Sequence, residues 1–351
     1  MGRTDDLRLD AGIPRRVGVA LAVLPALIFA LIIALVALTA TPAAAEPGDD
    51  EGGTGTLREQ LDAASRGYLD AKAALEASTV KQQELTVELA SLETELVAEA
   101  ETVAAIAGAA YKMGGLGPLA GLLSSDTPDH FMERVVLLAS VGQQQETEIH
   151  RLTDARDRAS EARLAIDAEI ATQQQQVTEM AKRKEQAEKA LRAAGGGQVT
   201  GGIVGTSNYV AEPAPRNADG TFSEESCSVT DPTTGGCITP RMLHAYNQAR
   251  AAGFTRYTSC KRAGGGGEHP LGRACDFSAS TNTFLTVAAT GGDKTYGNNL
   301  AAMLVKNANA LGVLYVIWYR QIWMPGSGWR SYSGSGSAAA EHTNHLHLSV
   351  Y

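Results

Sequence analysis

Apolar residues recur at alternating spacings of three and four along most of the chain's first half. One such seam runs from Leu57 to Ala110, and a second, weaker seam runs from Phe131 to Leu191. An a/d pattern that continues over many heptads is typical of a coiled coil. The pattern therefore predicts two long helices within residues 55–194.

A break at residues 113–130 separates the two seams. Glycine and proline residues that end a helix are concentrated there: Gly114, Gly115, Gly117 and Pro118. Asp126 or Thr127, just before Pro128, can cap the second helix. Two helices joined by a short break fold back as an antiparallel pair, with this segment as the tip. The tip is apolar, so it is either buried in the hairpin's own end or a docking surface for a membrane partner.

The pattern changes beyond residue 225, where short alternating and β-branched segments replace the long seams. Residues 314–323 and 345–351 predict strands, and the segment that follows Thr239 predicts a capped helix. We therefore predict an α+β protein, in which a long antiparallel helical hairpin precedes a small α+β domain with an antiparallel sheet at residues 226–351. Residues 195–225 are rich in Gly, Ser, Asn and Pro, which predicts a flexible linker.

The N-terminal residues 1–45 have the composition of an export signal. Arg15 and Arg16 precede an uncharged apolar run at residues 17–40, and small residues at 43–45 fit a cleavage site. The run is also long enough to span a bilayer. The segment is thus a cleaved signal peptide or a retained membrane anchor. Both alternatives predict an extracytoplasmic protein that is secreted, wall-associated or membrane-anchored.

Charge is distributed unevenly along the chain. The formal net charge is −9, yet residues 226–351 contain ten lysines and arginines against five acidic residues. A basic domain favours an anionic partner such as a cell-wall polymer. The sequence lacks the lysine-rich runs and aromatic repeats that indicate nucleic-acid binding.

All four cysteines lie in the C-terminal region, at Cys227, Cys237, Cys260 and Cys275. They form no C-x-x-C pair, which argues against a zinc–cysteine site. An even number of cysteines in an exported protein indicates disulfides. Three pairings are possible, and we favour the sequence-adjacent set, in which the second bond would brace the segment that leads to Asp276.

Histidines and one aspartate in this region indicate a metal site. His269 lies seven residues before Asp276, and His345 and His347 lie near the C-terminus. On a strand, residues i and i+2 share a face, so both C-terminal histidines point the same way. Catalytic zinc takes three protein ligands and a water molecule. We predict that His269, Asp276 and one of the two strand histidines bind Zn²⁺.

These residues form two motifs in a fixed order: His269-x-x-Gly272-x-Ala274-x-Asp276, then His342-x-x-His345-x-His347. Together the motifs resemble the signature of zinc D-Ala-D-Ala peptidases, which belong to the group named after lysostaphin, D-Ala-D-Ala peptidases and hedgehog. The resemblance covers the C-terminal region, about 227–351. It implies that His269, Asp276 and His347 are the zinc ligands.

The resemblance also implies roles for neighbouring residues. His345 would assist the attacking water or stabilise the oxyanion, and His342 would be an auxiliary active-site residue. Arg262 loosely matches a substrate-binding arginine of this family. Asn344 stands where many of these carboxypeptidases have a glutamate, which favours the variant of the mechanism that uses histidines.

The hairpin resembles the coiled-coil regions of bacterial cell-wall hydrolases that dock on membrane division machinery. The resemblances together predict an exported zinc metallopeptidase, of D,D-carboxypeptidase or endopeptidase type, that acts on peptidoglycan stem peptides or cross-links. The coiled coil would control access to the site, dock on a division-complex partner through its tip, or self-associate.

Two other functions are compatible with the same residues. One is a non-catalytic module that binds the cell wall or regulates division and keeps the peptidase fold. The other is a purely structural coiled-coil adaptor. The intact set of His269, Asp276 and His347 favours the peptidase, whereas Asn344 and the four-glycine loop at residues 264–267 favour the non-catalytic module.

Overall fold

The structure is a computed structural model that describes residues 55–114, 117–264, 266–334 and 336–351. The predicted signal peptide or anchor at residues 1–45 lies outside the described residues. Within the described ranges, no helix combines the length and the apolar character needed to cross a bilayer.

The long seams form two helices that pair along their length, α1 (Gly55–Met113) and α3 (Pro128–Ala193). The pair is antiparallel because early positions of α1 meet late positions of α3. Ser78 Oγ donates to Glu169 Oε2 at 2.6 Å, and further towards the tip Arg158 Nη1 lies 3.0 Å from Glu95 Oε1. The predicted helical hairpin is confirmed.

A short helix, α2 (Gly117–Leu123), lies at the tip of the hairpin. Thr127 caps α3, since its side chain accepts a hydrogen bond from the backbone N–H of His130. The apolar tip side chains are not buried in the hairpin's own end. Leu119, Leu123 and Met132 are 52%, 76% and 58% exposed.

An antiparallel sheet organises the C-terminal part of the described chain. Its six described strands are β3 (Thr258–Ser259), β4 (Ala274–Ser278), β5 (Val313–Trp318), β6 (Gln321–Met324), β7 (Gly328–Ser331) and β8 (His345–Val350). They lie in the order β3-β4-β8-β5-β6-β7. The last strand of the chain is therefore inserted at the centre of the sheet, between β4 and β5. The α+β class is confirmed.

Three helices cover one face of this sheet: α4 (Pro240–Ala251), α5 (Gly291–Lys306) and α6 (Ala308–Leu311). Thr239 caps α4 as predicted, accepting a hydrogen bond from the N–H of Met242. The alternate strand residues Phe277, Leu346 and Leu348 point into the core between this face and the helices. Burial of that apolar layer fixes which side chains must point to the opposite face.

The segment at residues 314–323 is two strands rather than the single strand that its apolar run predicts. Tyr319 and Arg320 both have positive φ, at 52° and 62°. Two consecutive residues in the left-handed region form the tight turn that suits a two-residue hairpin. The turn thus divides the run into β5 and β6, although neither residue is the glycine or asparagine that usually signals such a turn.

The base of the helical hairpin packs on the other face of the sheet. Leu57 and Leu61 of α1 and Leu191 of α3 are 4%, 2% and 1% exposed. They share one buried cluster with residues of β5, β6 and the following segment: Leu314, Tyr315, Ile317, Ile322, Met324 and Tyr332. The sheet therefore lies between α4–α6 on one side and the hairpin base on the other.

Residues 195–225 run as an extended segment along the C-terminal domain, which differs from the free tether that their composition predicts. Ala211, Ala214 and Phe222 are buried. The backbone N–H of Ala214 donates to the carbonyl of Ala310, and that of Ala211 donates to Asn307 Oδ1. Specific hydrogen bonds and a few buried apolar residues hold a segment that composition alone indicates to be flexible.

A small ladder of β1 (Val229–Thr230) and β2 (Cys237–Ile238) precedes α4. Disulfides pair Cys227 with Cys237 and Cys260 with Cys275, so all four cysteines follow the sequence-adjacent pairing. Disulfides are typical of an oxidising, extracytoplasmic compartment.

Candidate metal centre

The pairing of β4 with β8 brings Asp276 and the C-terminal histidines together. Asp276 lies directly opposite His347, and Ser278 lies opposite His345. Cys275, between Ala274 and Asp276, points into the opposite core. The alternation predicted for these two strands therefore holds, and the polar residues of both strands share the face on which the hairpin base packs.

The loop before β4 brings His269 to the same place. Gly272 has a φ of 73°, and a Cβ there would lie 2.8 Å from both Cys227 Sγ and Ile238 Cα. Only glycine lets the loop approach β2 so closely. The Cys260–Cys275 disulfide joins the segment after β3 to β4. These two constraints hold the loop so that His269 is fully buried beside Asp276.

Three side chains converge with potential ligand atoms: His269, Asp276 and His347. Asp276 Oδ1 lies 3.2 Å from His269 Nε2 and 3.0 Å from His347 Nδ1. The two ring nitrogens are 3.3 Å apart. A tetrahedral zinc ion with bonds of about 2.0–2.1 Å separates its ligand atoms by about 3.3 Å. The geometry of this cluster thus fits a metal ion of that size.

Hydrogen bonds behind the cluster orient both imidazole rings. His269 Nδ1 donates to the carbonyl oxygen of Cys260, so Nε2 is the ring nitrogen that faces Asp276 and His347. His347 Nε2 lies 2.8 Å from Ser349 Oγ. The ring of Tyr315 stacks on His347, with centroids 5.6 Å apart and planes inclined by 11°. Partners of this kind fix the tautomer and orientation of metal-binding histidines.

The electrostatics of Asp276 suit a metal ligand. Burial by itself would raise the pKa of this carboxyl, but the neighbouring His269 and His345, with hydrogen bonds from His269 and His347, hold the pKa well below its ordinary value. Asp276 is therefore ionised at neutral pH. A buried carboxylate with several partners is a good ligand for a divalent cation.

His345 lies beside the three converging residues, with a different orientation. Its Nε2 is 3.6 Å from Asp276 Oδ1 and has no hydrogen-bond partner among the described residues. Its Nδ1 lies 2.7 Å from Asn344 Oδ1 and donates to that oxygen. Burial lowers the pKa of His345 to about 4, so the ring is neutral at pH 7 and directs an Nε2 lone pair towards the cluster.

His342 is buried next to His345 and His347, with ring centroids 4.8 and 5.7 Å away. Its backbone is in the left-handed region, with a φ of 49°. Neither ring nitrogen makes a hydrogen bond of normal geometry among the described residues, although the backbone of Ala340 interacts with the ring. Burial, and then the neighbouring His345 and His347, place the pKa of His342 well below its ordinary value. This histidine is neutral and adjoins the cluster without joining it.

Arg262 is the partly exposed charged residue of the site. Its Nη2 lies 3.6 Å from Asp276 Oδ2, and its side chain is 28% exposed. The nearby acids have other partners. Glu268 is buried and pairs with Arg273, and Glu341 pairs with Arg320. The structure therefore groups all of the predicted site residues and assigns both spare carboxylates to ion pairs outside the cluster.

Sequence reasoning missed two supporting residues, Ser349 and Tyr315, and it missed the contact by which Asn344 positions His345. Ser349 follows His347 by two positions on the same strand face, which is a signal that the alternation itself offers. Tyr315 pairs with Ser349 across β5 and β8. No sequence pattern marks it, because the register between two distant strands decides the contact.

Comparison with family models matches residues 234–343 to the family described as VldE, C-terminal domain. The match covers less than a third of the chain and ends before His345. It supplies a family name for this segment and no link to D-Ala-D-Ala peptidases. Comparisons with curated proteins and with solved structures give no significant match.

Proposed function

We propose that the chain is an exported zinc peptidase that acts on peptidoglycan stem peptides or cross-links, with the helical hairpin as a docking or regulatory element. The convergence of His269, Asp276 and His347, with the neutral His345 beside them, is the observation that carries the proposal. Zinc in such a site would lower the pKa of a bound water and polarise the scissile carbonyl.

The protein's own residues have distinct tasks in this proposal. His345 would accept a proton from the attacking water through Nε2, because Asn344 holds Nδ1 in its protonated form. His342 lies close enough to His345 to share in hydrogen bonding to the reacting group. Arg262, partly exposed at the edge of the cluster, pairs with a carboxylate of the peptide substrate.

Metal content and hydrolysis, measured on the full-length oxidised protein, test this proposal together. We expect about one zinc per chain, lost in His269→Ala, Asp276→Ala and His347→Ala. His345→Ala should keep the zinc and lower hydrolysis of D-Ala-D-Ala-terminated stem peptides by about 10²–10⁴-fold. His150→Ala, on the exposed surface of α3, is the matched control for both readouts.

Long incubations followed by mass spectrometry of the peptides would detect slow turnover. Zinc retained in all three ligand variants would contradict the assignment of the site. Zinc bound without any hydrolysis, both by the wild type and by a variant whose hairpin base no longer packs on the sheet, would instead favour the non-catalytic wall-binding module if the chain still binds purified cell wall. That second function has its own support in the burial of the whole cluster, where no member is more than 6% exposed.

A further inference from the structure

The hairpin base covers the same face of the sheet that carries the candidate metal centre. His345, His347 and Asp276 point to this face, opposite the core that contains Leu346 and Leu348. The first turns of α1 pack there through Leu57 and Leu61, in one buried cluster with Tyr315 and Tyr332. Those two tyrosines in turn contact His347 and His342. One layer of aromatic side chains therefore connects α1 to the site.

Two arginines of α1 extend this contact to the loop that holds His269. Arg58 is buried, and its Nη2 lies 2.9 Å from the position that a Cβ would take on Gly266. Arg66 Nη2 lies 3.7 Å from Glu268 Oε2, next to the histidine in sequence. The same arginine lies over the ring of Tyr351, 4.6 Å from its centroid. Helix α1 thus contacts both the sheet and the loop that form the cluster.

The result is a closed site. His269, His342 and His347 are fully buried, and His345 and Asp276 are 4% and 6% exposed. A peptide bond must come within about 3 Å of the reacting groups for hydrolysis to occur. A site at this depth admits no polymer strand until part of its cover moves. That cover includes the ring of Phe284 beside His345, and α1 packed behind Tyr315 and Tyr332.

We propose that residues 57–66 of α1 occlude the candidate metal centre, and that the chain becomes active when the hairpin base separates from the sheet. The inference rests on the proposed function for its biological meaning, but the occlusion itself depends only on the packing of α1. The substrate reaches the site along the face that Leu57, Leu61 and Arg66 now cover. The hairpin is then an intramolecular inhibitor as well as a docking element.

Chemical accessibility of the site histidines tests the occlusion without any need for activity. The full-length protein is treated with a chelator, so that metal protects no ring, and is then modified with diethyl pyrocarbonate. Tandem mass spectrometry compares the rate at His345 with the rate at His150, whose side chain is 72% exposed. We expect His345 to react at least about tenfold more slowly in the wild type.

The double variant Leu57→Asp, Leu61→Asp places two charges in the apolar contact and should raise the rate at His345 by about tenfold or more. Val87→Asp combined with Val97→Asp is the matched control, because it adds the same two charges to α1 at positions that are 73% and 58% exposed. Hydrogen exchange over residues 57–73 shows whether the base has separated, and near-ultraviolet circular dichroism shows whether the sheet domain has kept its fold.

Equal rates at His345 and His150 in the wild type would overturn the occlusion. So would an unchanged rate at His345 in a double variant whose base has separated while its sheet domain stays folded. If the double variant does not fold, the same measurement is made on the wild type in low concentrations of urea. If α1 occludes the site, His345 becomes reactive at the urea concentration at which residues 57–73 begin to exchange. If His345 becomes reactive only when the sheet unfolds, the occlusion is contradicted.

Peptide hydrolysis separates the failure of this inference from failure of the proposed function. A double variant with a reactive His345 and increased hydrolysis supports both. A reactive His345 with zinc bound but no hydrolysis supports occlusion and contradicts the peptidase. Hydrolysis by the wild type at the same rate as by the opened variant supports the peptidase and contradicts occlusion.

Discussion

The two ends of the helical hairpin are both apolar and have opposite environments. At the base, Leu57 and Leu61 are almost completely buried against the sheet, whereas at the tip Leu119 and Leu123 are more than half exposed. The difference teaches that an apolar seam indicates a helix but not what covers it. At the base the cover is the sheet domain of the same chain, and at the tip no described residue provides one.

The largest expected difference between base and tip is in how much a leucine-to-alanine substitution lowers the free energy of unfolding. Leu61→Ala should lower the free energy of unfolding by about 2–5 kcal/mol, because it leaves a cavity in a buried cluster. Leu123→Ala at the exposed tip should change it by less than about 0.5 kcal/mol. Urea unfolding followed by tryptophan fluorescence reports on the base, since all three tryptophans lie in the sheet domain. Equal effects of the two variants would remove the distinction between base and tip.

Lowering the pH should also reduce the stability of the hairpin base and its sheet domain, through His345, and should have no such effect at the tip. In the metal-free protein His345 has a pKa of about 4 when folded and an ordinary value near 6.5 when unfolded. The unfolded chain therefore takes up a proton first as the pH falls. The free energy of unfolding is therefore unaffected by this group above about pH 6.5. Between pH 6.5 and 4 it falls, by about 3 kcal/mol in total.

The pH dependence of urea unfolding, measured in wild type and in His345→Gln, checks this expectation. The variant should show a shallower loss of stability across the same window. His150→Gln, on the exposed part of α3, should leave the profile unchanged. A wild-type profile that is flat from pH 6.5 to 4 would show that His345 is not held neutral by burial.

The loop under the hairpin base depends on its disulfide. Cys260→Ala combined with Cys275→Ala should lower the free energy of unfolding by about 3 kcal/mol at neutral pH, because the cross-link restricts the unfolded chain. It should also weaken zinc binding, since the carbonyl of Cys260 holds His269. Calorimetry with and without zinc measures both effects. Unchanged zinc affinity would show that the loop is held by other contacts.

Helix caps give a smaller and finer comparison. Thr239→Ala removes the cap of α4 inside the sheet domain, and Thr127→Ala removes the cap of α3 at the tip. Each lost cap costs about 1 kcal/mol. Tryptophan fluorescence should detect the change at Thr239, whereas only helical circular dichroism should detect the change at Thr127. A lower unfolding midpoint in Thr127→Ala, followed by tryptophan fluorescence, would mean that tip and base unfold together.

Local patterns were sufficient for much of the fold. The spacing of the seams identified both long helices, and the glycines and Pro118 located the break between them. Thr239 with Pro240 marked the start of α4. The same patterns gave one strand in place of β5 and β6, because Tyr319 and Arg320 adopt a turn that their side chains do not favour. They also indicated a flexible linker where long-range hydrogen bonds fix the segment.

The candidate metal ligands and the two histidines beside them were identifiable from spacing and from resemblance, whereas their supports Tyr315 and Ser349 were not. Strand alternation placed His345 and His347 on one face, and the two motifs identified His269 and Asp276 as their companions. Which histidine would bind the metal was open from alternation alone. In the structure the register of β4 with β8 places Asp276 opposite His347, while His345 lies two residues earlier on β8, opposite Ser278 and beside Asn344.

The sequence by itself determined the two long helices, the cap of α4, the candidate site histidines and the strand face on which they lie, because these follow from short-range periodicity. It favoured one cysteine pairing of the three possible. Only the tertiary structure decided that α1 packs over the metal-binding face, that Tyr315 supports His347, and that residues 195–225 are held along the domain. Those contacts join segments far apart in sequence, and their free energy depends on shapes and registers that no local pattern encodes.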